Sequence, residues 1–211
     1  MKSRTLYGLI AIAALAAFTA SHARTERIEG AEVTLIEVGD TAPDFTLFGT
    51  DLRYHTLSAY READAVVVIF HCNHCPISRR NVDLIVELGN TYQEKNVQFL
   101  VINPNPADKV AADGFEQMQA RAEEKNFPFP YLYDETQMTA VAYGARRTDH
   151  VFILGGADRE GSRSVEYIGP VDNRHRAPVY LADRLDALLA GEEIERREID
   201  AFGCTIKYRP E

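Results

Sequence analysis

The sequence predicts an α/β fold in which a central mixed sheet is flanked by helices. Two apolar runs, Ala65–Phe70 and Val97–Asn103, have the length and composition of strands that are buried on both faces of a sheet. Each run is followed by a pattern of helical periodicity, over residues 78–92 and 114–126. Because strands alternate with helices here, we expect these two strands to be parallel, with helices covering the faces of the sheet.

The first 23 residues have the features of a signal peptide. Residues 1–4 are basic, residues 6–20 are apolar and rich in alanine, and residues 21–23 resemble a small-residue cleavage site. The apolar run is too short for a convincing membrane span, so we expect membrane attachment only where this segment stays uncleaved. The sequence therefore predicts an exported protein, periplasmic or secreted, in a compartment where disulfides form and persist.

The segment after the signal peptide leads into the fold. Residues 24–40 have a mixed composition, and no regular element is predicted there. Residues 42–47 and 53–57 predict an N-terminal β-hairpin, because Gly49-Thr50-Asp51 between them favours a turn. Residues 58–62 then predict a short helix before the first buried strand.

The second half of the chain supplies the remaining elements. Residues 127–133 are expected to be extended, because each proline there excludes helical geometry from the residue before it, and residues 137–144 predict a short helix. Residues 151–154 and 165–168 predict a final hairpin, which makes the sheet mixed. A closing amphipathic helix is expected over residues 178–189, where leucines share one face.

Composition limits the partners of the protein. The chain of 211 residues carries a formal net charge of −9, and no basic run follows the signal peptide. Nucleic acid is therefore an unfavourable partner, because its phosphates require a basic face. No repeat or linker divides the chain, so we expect one domain over residues 41–190 and a C-terminal tail over residues 191–211.

Two cysteines, Cys72 and Cys75, lie where the first buried strand is expected to give way to a helix. Unpaired N–H groups at a helix start carry partial positive charge, which favours a thiolate at Cys72. Cys75 lies one turn further on, where it can attack a mixed disulfide on Cys72 and release the partner. The sequence thus predicts a redox-active dithiol with Cys72 as nucleophile and Cys75 as resolving cysteine.

Two other interpretations of this cysteine spacing are less favoured. A structural zinc site normally needs a second pair of ligands, and Cys204 is the only other cysteine in the chain. A purely structural disulfide across so short a loop would constrain the unfolded chain little.

Four short motifs follow one another in an order that is typical of one group of proteins. They are Ala-Pro-Asp-Phe at residues 42–45, Cys-Asn-His-Cys-Pro at 72–76, Tyr-Leu-Tyr-Asp-Glu-Thr-Gln at 131–137 and Gly-Cys-Thr-Ile-Lys at 203–207. Together with the order of elements, they make the chain resemble the thioredoxin fold, and within it the peroxiredoxin-like (AhpC/TSA-related) redoxins. The resemblance implies a thioredoxin-like domain extended by the N-terminal hairpin. It also implies exchange with protein thiols and disulfides, a redox partner protein, and no cofactor beyond the Cys72–Cys75 disulfide.

Two positions depart from the pattern of that group. Peroxiredoxins carry Pro-x-x-x-Thr-x-x-Cys at their reactive cysteine, and the run Val68-Ile69 before Cys72 lacks that proline and threonine. Peroxidase activity is therefore less favoured than disulfide exchange. Thioredoxin-fold enzymes also place a cis-proline beside the dithiol, where this chain has Asp149. We expect this carboxylate to open a coordination position near Cys72.

Three further residues are candidates for auxiliary roles in the dithiol site. His74 directly precedes Cys75, where thioredoxin-fold oxidases and isomerases carry a histidine, and a polar imidazole there would stabilise the Cys72 thiolate. Cys204 is either a third redox-active thiol or a small buried residue that fixes the tail. Thr148 accompanies Asp149 at the position of the cis-proline.

A metal site is the alternative from a different class of function. Copper, zinc and iron accept mixed thiolate and imidazole ligands, so a thioredoxin-fold module or metallochaperone could hold one of these ions. The candidate ligands lie beside the dithiol or at the position of the cis-proline. They are His71, Cys72, His74, Cys75, Asp149 and His150.

Overall fold

The computed structural model describes residues 24–28, 31–173 and 179–210, and the predicted signal peptide lies outside them. The described residues form a seven-stranded sheet, a two-stranded sheet and four α-helices. The strands are β1 (Arg24–Ile28), β2 (Ala31–Leu35), β3 (Thr46–Gly49), β4 (Tyr54–Thr56), β5 (Ala65–Phe70), β6 (Val97–Asn103), β7 (Tyr131–Tyr133), β8 (His150–Leu154) and β9 (Val165–Pro170). The helices are α1 (Pro76–Gln93), α2 (Phe115–Glu124), α3 (Met138–Ala142) and α4 (Tyr180–Ala190), with 3-10 turns at Leu57–Tyr60 and Ala111–Asp113.

The large sheet is mixed, as the sequence predicts. Its strand order is β4-β3-β7-β6-β5-β8-β9. The pairs β5 with β6 and β6 with β7 are parallel, whereas the other neighbours are antiparallel. All six residues of β5 are buried, because this central strand has a strand on each side and packed side chains on each face.

The two faces of the sheet bury separate hydrophobic clusters. Alternate residues of β5 belong to different clusters, which is the two-residue period of a strand. Ala65, Val67 and Ile69 pack with apolar residues of α1 and α4. The residues between them pack with α3 and the C-terminal tail.

Residues 24–40 contain a hairpin for which the sequence analysis predicted no regular element. β1 and β2 pair in antiparallel register, and Ile28 and Val33 belong to the same core cluster as α3. β2 alternates apolar and polar residues, but β1 has a single apolar residue, so the sequence shows no second strand with which β2 could pair. The hairpin predicted over residues 42–57 is confirmed, although β3 begins only at Thr46.

The C-terminal tail is packed into the domain. Single bridges pair Thr205 with Arg147 and Glu198 with Ile168. Ile206 in the tail is completely buried within the core cluster that contains α3. The tail therefore holds its one cysteine, Cys204, against the rest of the domain.

The closing helix is confirmed with a later start than predicted. α4 begins at Tyr180, and residue 178 lies outside the described part of the chain. The helix ends before Gly191, whose φ of 70° is a left-handed conformation that favours glycine. Within the described ranges, no helix has the length and apolar character that crossing a membrane requires.

Candidate active site

The dithiol lies at the carboxyl end of β5, on the loop that leads into α1. β5 ends at Phe70 and α1 begins at Pro76, so Cys75 is the N-cap residue of the helix. The predicted strand-to-helix junction is therefore present at the two cysteines. Cys72, Cys75 and Cys204 are free thiols, and the first two are 0% exposed.

Groups that stabilise a thiolate surround Cys75. A hydrogen bond with Cys72 is the largest of the effects that lower the pKa of Cys75 to about 3, and burial opposes them. The nearby Cys204 and Thr148 side chains lower this pKa further, and the Cys204 backbone N–H donates to the Cys75 sulfur at 3.3 Å. The position at the start of α1 acts in the same direction. These contacts favour Cys75 as the thiolate of the reduced site.

Cys72 lies in the opposite electrostatic environment. Its hydrogen bond with Cys75, its burial and the Asp113 carboxylate all raise the pKa of Cys72. The sequence analysis placed Cys72 at the helix start, but α1 begins at Pro76, and Cys72 precedes the N-cap residue by three positions. The contacts therefore favour Cys75 as the thiolate, which is the reverse of the expectation from sequence.

Asp113 is a site residue that the sequence analysis missed. It is completely buried, and its Oδ1 accepts the backbone N–H groups of Asn73 at 2.8 Å and His74 at 3.0 Å. Its Oδ2 accepts from Asn105 Nδ2 at 2.9 Å. The carboxylate therefore fixes the backbone between the two cysteines. The sequence contained a clue to this role. Asp113 follows β6, which is parallel to β5, and the carboxyl ends of parallel strands meet at one edge of a sheet, so the segment after β6 is expected near the dithiol.

His74 lies between Cys72 and Asp113. Its Nδ1 is 3.4 Å from Cys72 Sγ and 2.6 Å from Asp113 Oδ2. Because a carboxylate only accepts hydrogen bonds, this nitrogen carries the proton and donates mainly to Asp113. The expected contact between His74 and Cys72 is present, but the carboxylate is the closer partner of the imidazole.

The Asp149 carboxylate is enclosed in a hydrogen-bond network. It is 1% exposed and accepts from His71 Nδ1 at 2.7 Å, Ser78 Oγ at 3.0 Å and Asn81 Nδ2 at 2.9 Å. Its backbone N–H donates to Phe70 O at 2.7 Å. Its oxygens therefore join the loop after β5 to α1, whereas the sequence analysis expected them to open a coordination position near Cys72.

The six residues considered as metal ligands do not gather at one point. His71 is bonded to Asp149, and burial lowers the pKa of His150 to about 3 while its Nδ1 accepts the Arg146 N–H at 3.4 Å. One group of three potential ligands in the described part of the chain lies within 4.8 Å of one another. It consists of Cys72, His74 and Asp113. His74 joins the other two, with its Nδ1 3.4 Å from Cys72 Sγ and 2.6 Å from Asp113 Oδ2.

The C-terminal tail brings Cys204 to the dithiol. The Thr148 N–H donates to Cys204 O at 2.8 Å. A Cβ atom on Gly203 would lie 2.1 Å from Thr148 O, so the tail approaches this closely only because residue 203 is glycine. Of the two interpretations of Cys204, the structure favours a place beside the dithiol, because the residue is partly exposed and contacts Cys75.

A groove of about 1120 Å³ opens beside Cys204. The start of α1, strand β1 and the tail line it, and Cys204 is the cysteine on its surface. Four arginines and two carboxylates border the groove, so it is more basic than the chain as a whole. They are Arg27, Arg80, Arg146, Arg147, Glu26 and Asp200.

The sheet topology and the dithiol at the start of α1 define a thiol-disulfide oxidoreductase with a thioredoxin-like fold. A family model described as the AhpC/TSA family matches residues 38–164. The chain belongs to this family.

Three known proteins show what the chain is similar to. The protein named thiol-disulfide oxidoreductase ResA of Geobacillus thermodenitrificans (strain NG80-2) is 29% identical over 151 residues, which are 72% of this chain and 79% of that protein. An uncharacterized conserved protein from Geobacillus kaustophilus is 36% identical with a TM-score of 0.75, over 84% of this chain and 95% of its own. The peroxidoxin BcpB from Mycobacterium tuberculosis, 19% identical with a TM-score of 0.57 over 74% of this chain and 97% of its own, shares the fold alone.

Proposed function

We propose that this chain is an exported thiol-disulfide oxidoreductase whose redox couple is the Cys72–Cys75 disulfide and its dithiol. The position of Cys75 carries this proposal, because Cys75 is the N-cap residue of α1 and its sulfur accepts the Cys204 N–H at 3.3 Å, whereas the Cys72 sulfur lies within 4.8 Å of the Asp113 carboxylate. These surroundings lower the pKa of Cys75 and raise that of Cys72. A pair that holds one thiolate and one thiol is suited to disulfide exchange. Protein thiols and disulfides are the proposed substrates, and a redox partner protein restores the starting state.

Cys75 carries the thiolate in this proposal, and Cys72 forms the disulfide with Cys75. Reduction of the disulfide takes two electrons from a partner dithiol, and one of the two protons stays on Cys72. The other proton is released, because Cys75 remains ionised. A stabilised thiolate makes the disulfide easier to reduce, so we expect the protein to oxidise partner thiols. His74 and Asp113 act as positioning residues on the Cys72 side.

Hydrogen peroxide is a less favoured substrate than a protein thiol. Peroxide reacts with an accessible thiolate, whereas Cys75 and Cys72 are both 0% exposed, and the Asp113 carboxylate helps to raise the pKa of Cys72. Ile69 stands three residues before Cys72, where peroxiredoxins carry threonine, and it is buried within β5. We expect peroxide consumption to be much slower than peptide oxidation under matched conditions. Comparable rates would assign the protein to the peroxidases.

The proposed location is outside the cytoplasm, in the periplasm or the medium. Residues 1–23 support it by their sequence, and a working disulfide persists in an oxidising compartment. N-terminal sequencing of the protein recovered from producing cells is expected to give a start near Arg24. A mature protein that begins at Met1 would contradict cleavage of the signal peptide.

Mapping of the disulfide tests the redox couple. Oxidised full-length protein is alkylated at its free thiols, and its peptides are analysed by mass spectrometry. We expect a Cys72–Cys75 disulfide in the wild type. Cys75→Ser is expected to oxidise a peptide with two cysteines only at the background rate, because the variant lacks the thiolate. Peptide oxidation that persists in Cys75→Ser would rule out the proposed couple.

Metal analysis of the same protein separates the redox function from the metal alternative. The protein is purified without chelator and assayed for bound ions and for peptide oxidation. An active dithiol in metal-free protein is the expected result. A stoichiometric ion that is lost in His74→Ala, in a protein without peptide oxidation, would instead identify a metal-binding module.

A further inference from the structure

The partly exposed Cys204 lies between the buried dithiol and the groove. Cys72 and Cys75 are both 0% exposed, whereas Cys204 is partly exposed and lines the groove. A partner sulfur that enters the groove therefore meets Cys204 before either buried sulfur. A Cys72–Cys75 couple without Cys204 does not explain how the sulfur of a protein substrate reaches the two buried sulfurs.

Cys75 is the middle member of three neighbouring thiols. The thiols of Cys72 and Cys204 both act on the pKa of Cys75, and the Cys204 backbone N–H donates to the Cys75 sulfur at 3.3 Å. The tail keeps Cys204 in this place through the bond from Thr148 N–H to Cys204 O and the close approach of Gly203. Cys75 therefore has a neighbouring thiol on each side.

We propose that Cys204 is the partner-facing cysteine of this site, and that the disulfide moves from Cys72–Cys75 to Cys75–Cys204 before it reaches a partner. This inference rests on the redox couple proposed above. In the first step Cys204 attacks the Cys75 sulfur as a thiolate, the Cys75–Cys204 bond forms, and the Cys72–Cys75 bond breaks. Cys72 takes up the proton that Cys204 gave up. No oxidant is consumed, because one disulfide replaces another.

The second step takes place in the groove. A partner thiolate attacks the Cys204 sulfur, and Cys75 leaves as a thiolate. A second thiolate of the partner then attacks the mixed disulfide, so the partner gains a disulfide and Cys204 leaves and takes up a proton. Two electrons have passed from the partner to the protein. A low pKa makes Cys75 a good leaving group, and burial raises the pKa of Cys204 to about 11, which keeps the released Cys204 protonated.

The charge of the groove indicates the chemistry of the partner. Four arginines face two carboxylates along its border, and Arg80 also pairs with the buried Asp172 at 3.1 Å, so the groove keeps a small excess of positive charge in a chain whose formal net charge is −9. Arg147 Nη1 donates to Gly203 O at 3.2 Å, so its positive charge stands directly beside the tail, whereas Arg146 pairs with Glu26 at 3.4 Å and with Asp200 at 3.7 Å. Complementarity favours an acidic segment that contains two cysteines.

The first test asks whether Cys75 and Cys204 form a disulfide. Full-length Cys72→Ala protein is reduced, treated with oxidised glutathione, alkylated and mapped by mass spectrometry. We expect a Cys75–Cys204 disulfide in most molecules, because Cys75 retains one neighbouring thiol. Glutathione adducts without this disulfide would overturn the inference.

A pair of glycine variants tests whether the tail positions Cys204. In the Cys72→Ala background, Gly203→Ala is expected to lower the yield of the Cys75–Cys204 disulfide about tenfold, because its Cβ displaces the tail from Thr148. Gly156→Ala is the matched control, since its Cβ would meet no atom closer than Asp64 O at 3.5 Å. Equal yields of the Cys75–Cys204 disulfide in Gly203→Ala and Gly156→Ala would show that Gly203 does not position Cys204.

The second test distinguishes this inference from the proposed function. In Cys204→Ser, the Cys72–Cys75 disulfide is expected to form as in the wild type, while oxidation of an acidic peptide with two cysteines slows at least about tenfold. An unchanged rate would overturn the role of Cys204 and leave the redox couple intact. A wild-type protein without any Cys72–Cys75 disulfide would overturn the proposed function itself.

Equal rates of oxidation for this acidic peptide and for a lysine-substituted one would overturn the preference for an acidic partner.

Discussion

The two cysteines of the dithiol are close in sequence and lie in opposite surroundings. Cys72 faces the buried Asp113 carboxylate, and its pKa is raised by the bond with Cys75, by burial and by that charge. Cys75 lies at the start of α1 beside Cys204 and Thr148, and its pKa is lowered to about 3. The spacing of the two cysteines thus identifies a dithiol, whereas the groups around each sulfur favour the thiolate at Cys75.

The largest effect is expected on the stability of the protein, when Asp149 is replaced by proline. Asp149 joins His71, which precedes Cys72, to Ser78 in α1. Its φ is 57° and its N–H donates to Phe70 O at 2.7 Å, and proline permits neither. We expect Asp149→Pro to lower the free energy of unfolding by about 3 kcal/mol or more.

Chemical denaturation measures this effect against a matched variant. Asp149→Asn keeps the backbone N–H and tolerates a positive φ, so a smaller loss of stability is expected. Equal stability of the proline and asparagine variants would show that the backbone conformation and N–H bond of Asp149 do not stabilise the segment that carries the two cysteines.

The next effect concerns the protons taken up when the disulfide is reduced. Cys75, with a pKa of about 3, is ionised at neutral pH, while Cys72, with its raised pKa, is protonated. We therefore expect the reduction potential to fall by about 30 mV per pH unit, because one proton accompanies two electrons. A slope near 60 mV per pH unit would mean that both sulfurs are protonated, and the contrast between them would disappear.

The same ionisation links stability to pH in the reduced protein. The folded pKa of Cys75 is depressed to about 3 from its ordinary value. Its contribution to stability is fully present above the pKa of an unfolded thiol, about 8.5, and is lost as the pH falls toward the folded pKa. Denaturation of reduced and oxidised protein across this range checks the sign, since the oxidised form lacks the titrating thiol.

The smallest effects are expected from the side chains that flank each sulfur. Thr148→Val removes a group that lowers the pKa of Cys75, so we expect this pKa to rise by about one unit. His74→Ala is expected to change it less, because His74 donates mainly to Asp113. The pH dependence of alkylation measures both shifts. A larger shift in His74→Ala would place the thiolate at Cys72.

Local patterns in the sequence account for the elements that carry the dithiol. The unbroken apolar run Ala65–Phe70 predicted a strand buried on both faces, and helical periodicity predicted α1. Both predictions are confirmed, because a buried central strand and an amphipathic helix leave distinct periods in the chain. The hairpin β1–β2 was missed, since β1 has a single apolar residue and shows no alternation.

The groups that distinguish the two cysteines come from distant parts of the chain. Asp113 reaches the site from the loop after β6, and Cys204 reaches it from the tail. Asp149 was expected to face the dithiol, but it is bonded instead to His71, Ser78 and Asn81. Contacts of this kind depend on how strands and loops meet in three dimensions, and periodicity within one segment carries no information about them.

The identity of the thiolate is the central claim, and ultraviolet thiolate absorbance tests it most directly. Reduced wild-type protein, Cys72→Ser and Cys75→Ser are titrated from acid to neutral pH, and Cys204→Ser serves as the control for the third thiol. We expect a thiolate signal at about pH 6 in the wild type and in Cys204→Ser, and none in Cys75→Ser. A signal that persists in Cys75→Ser and disappears in Cys72→Ser would contradict this assignment and return the thiolate to Cys72.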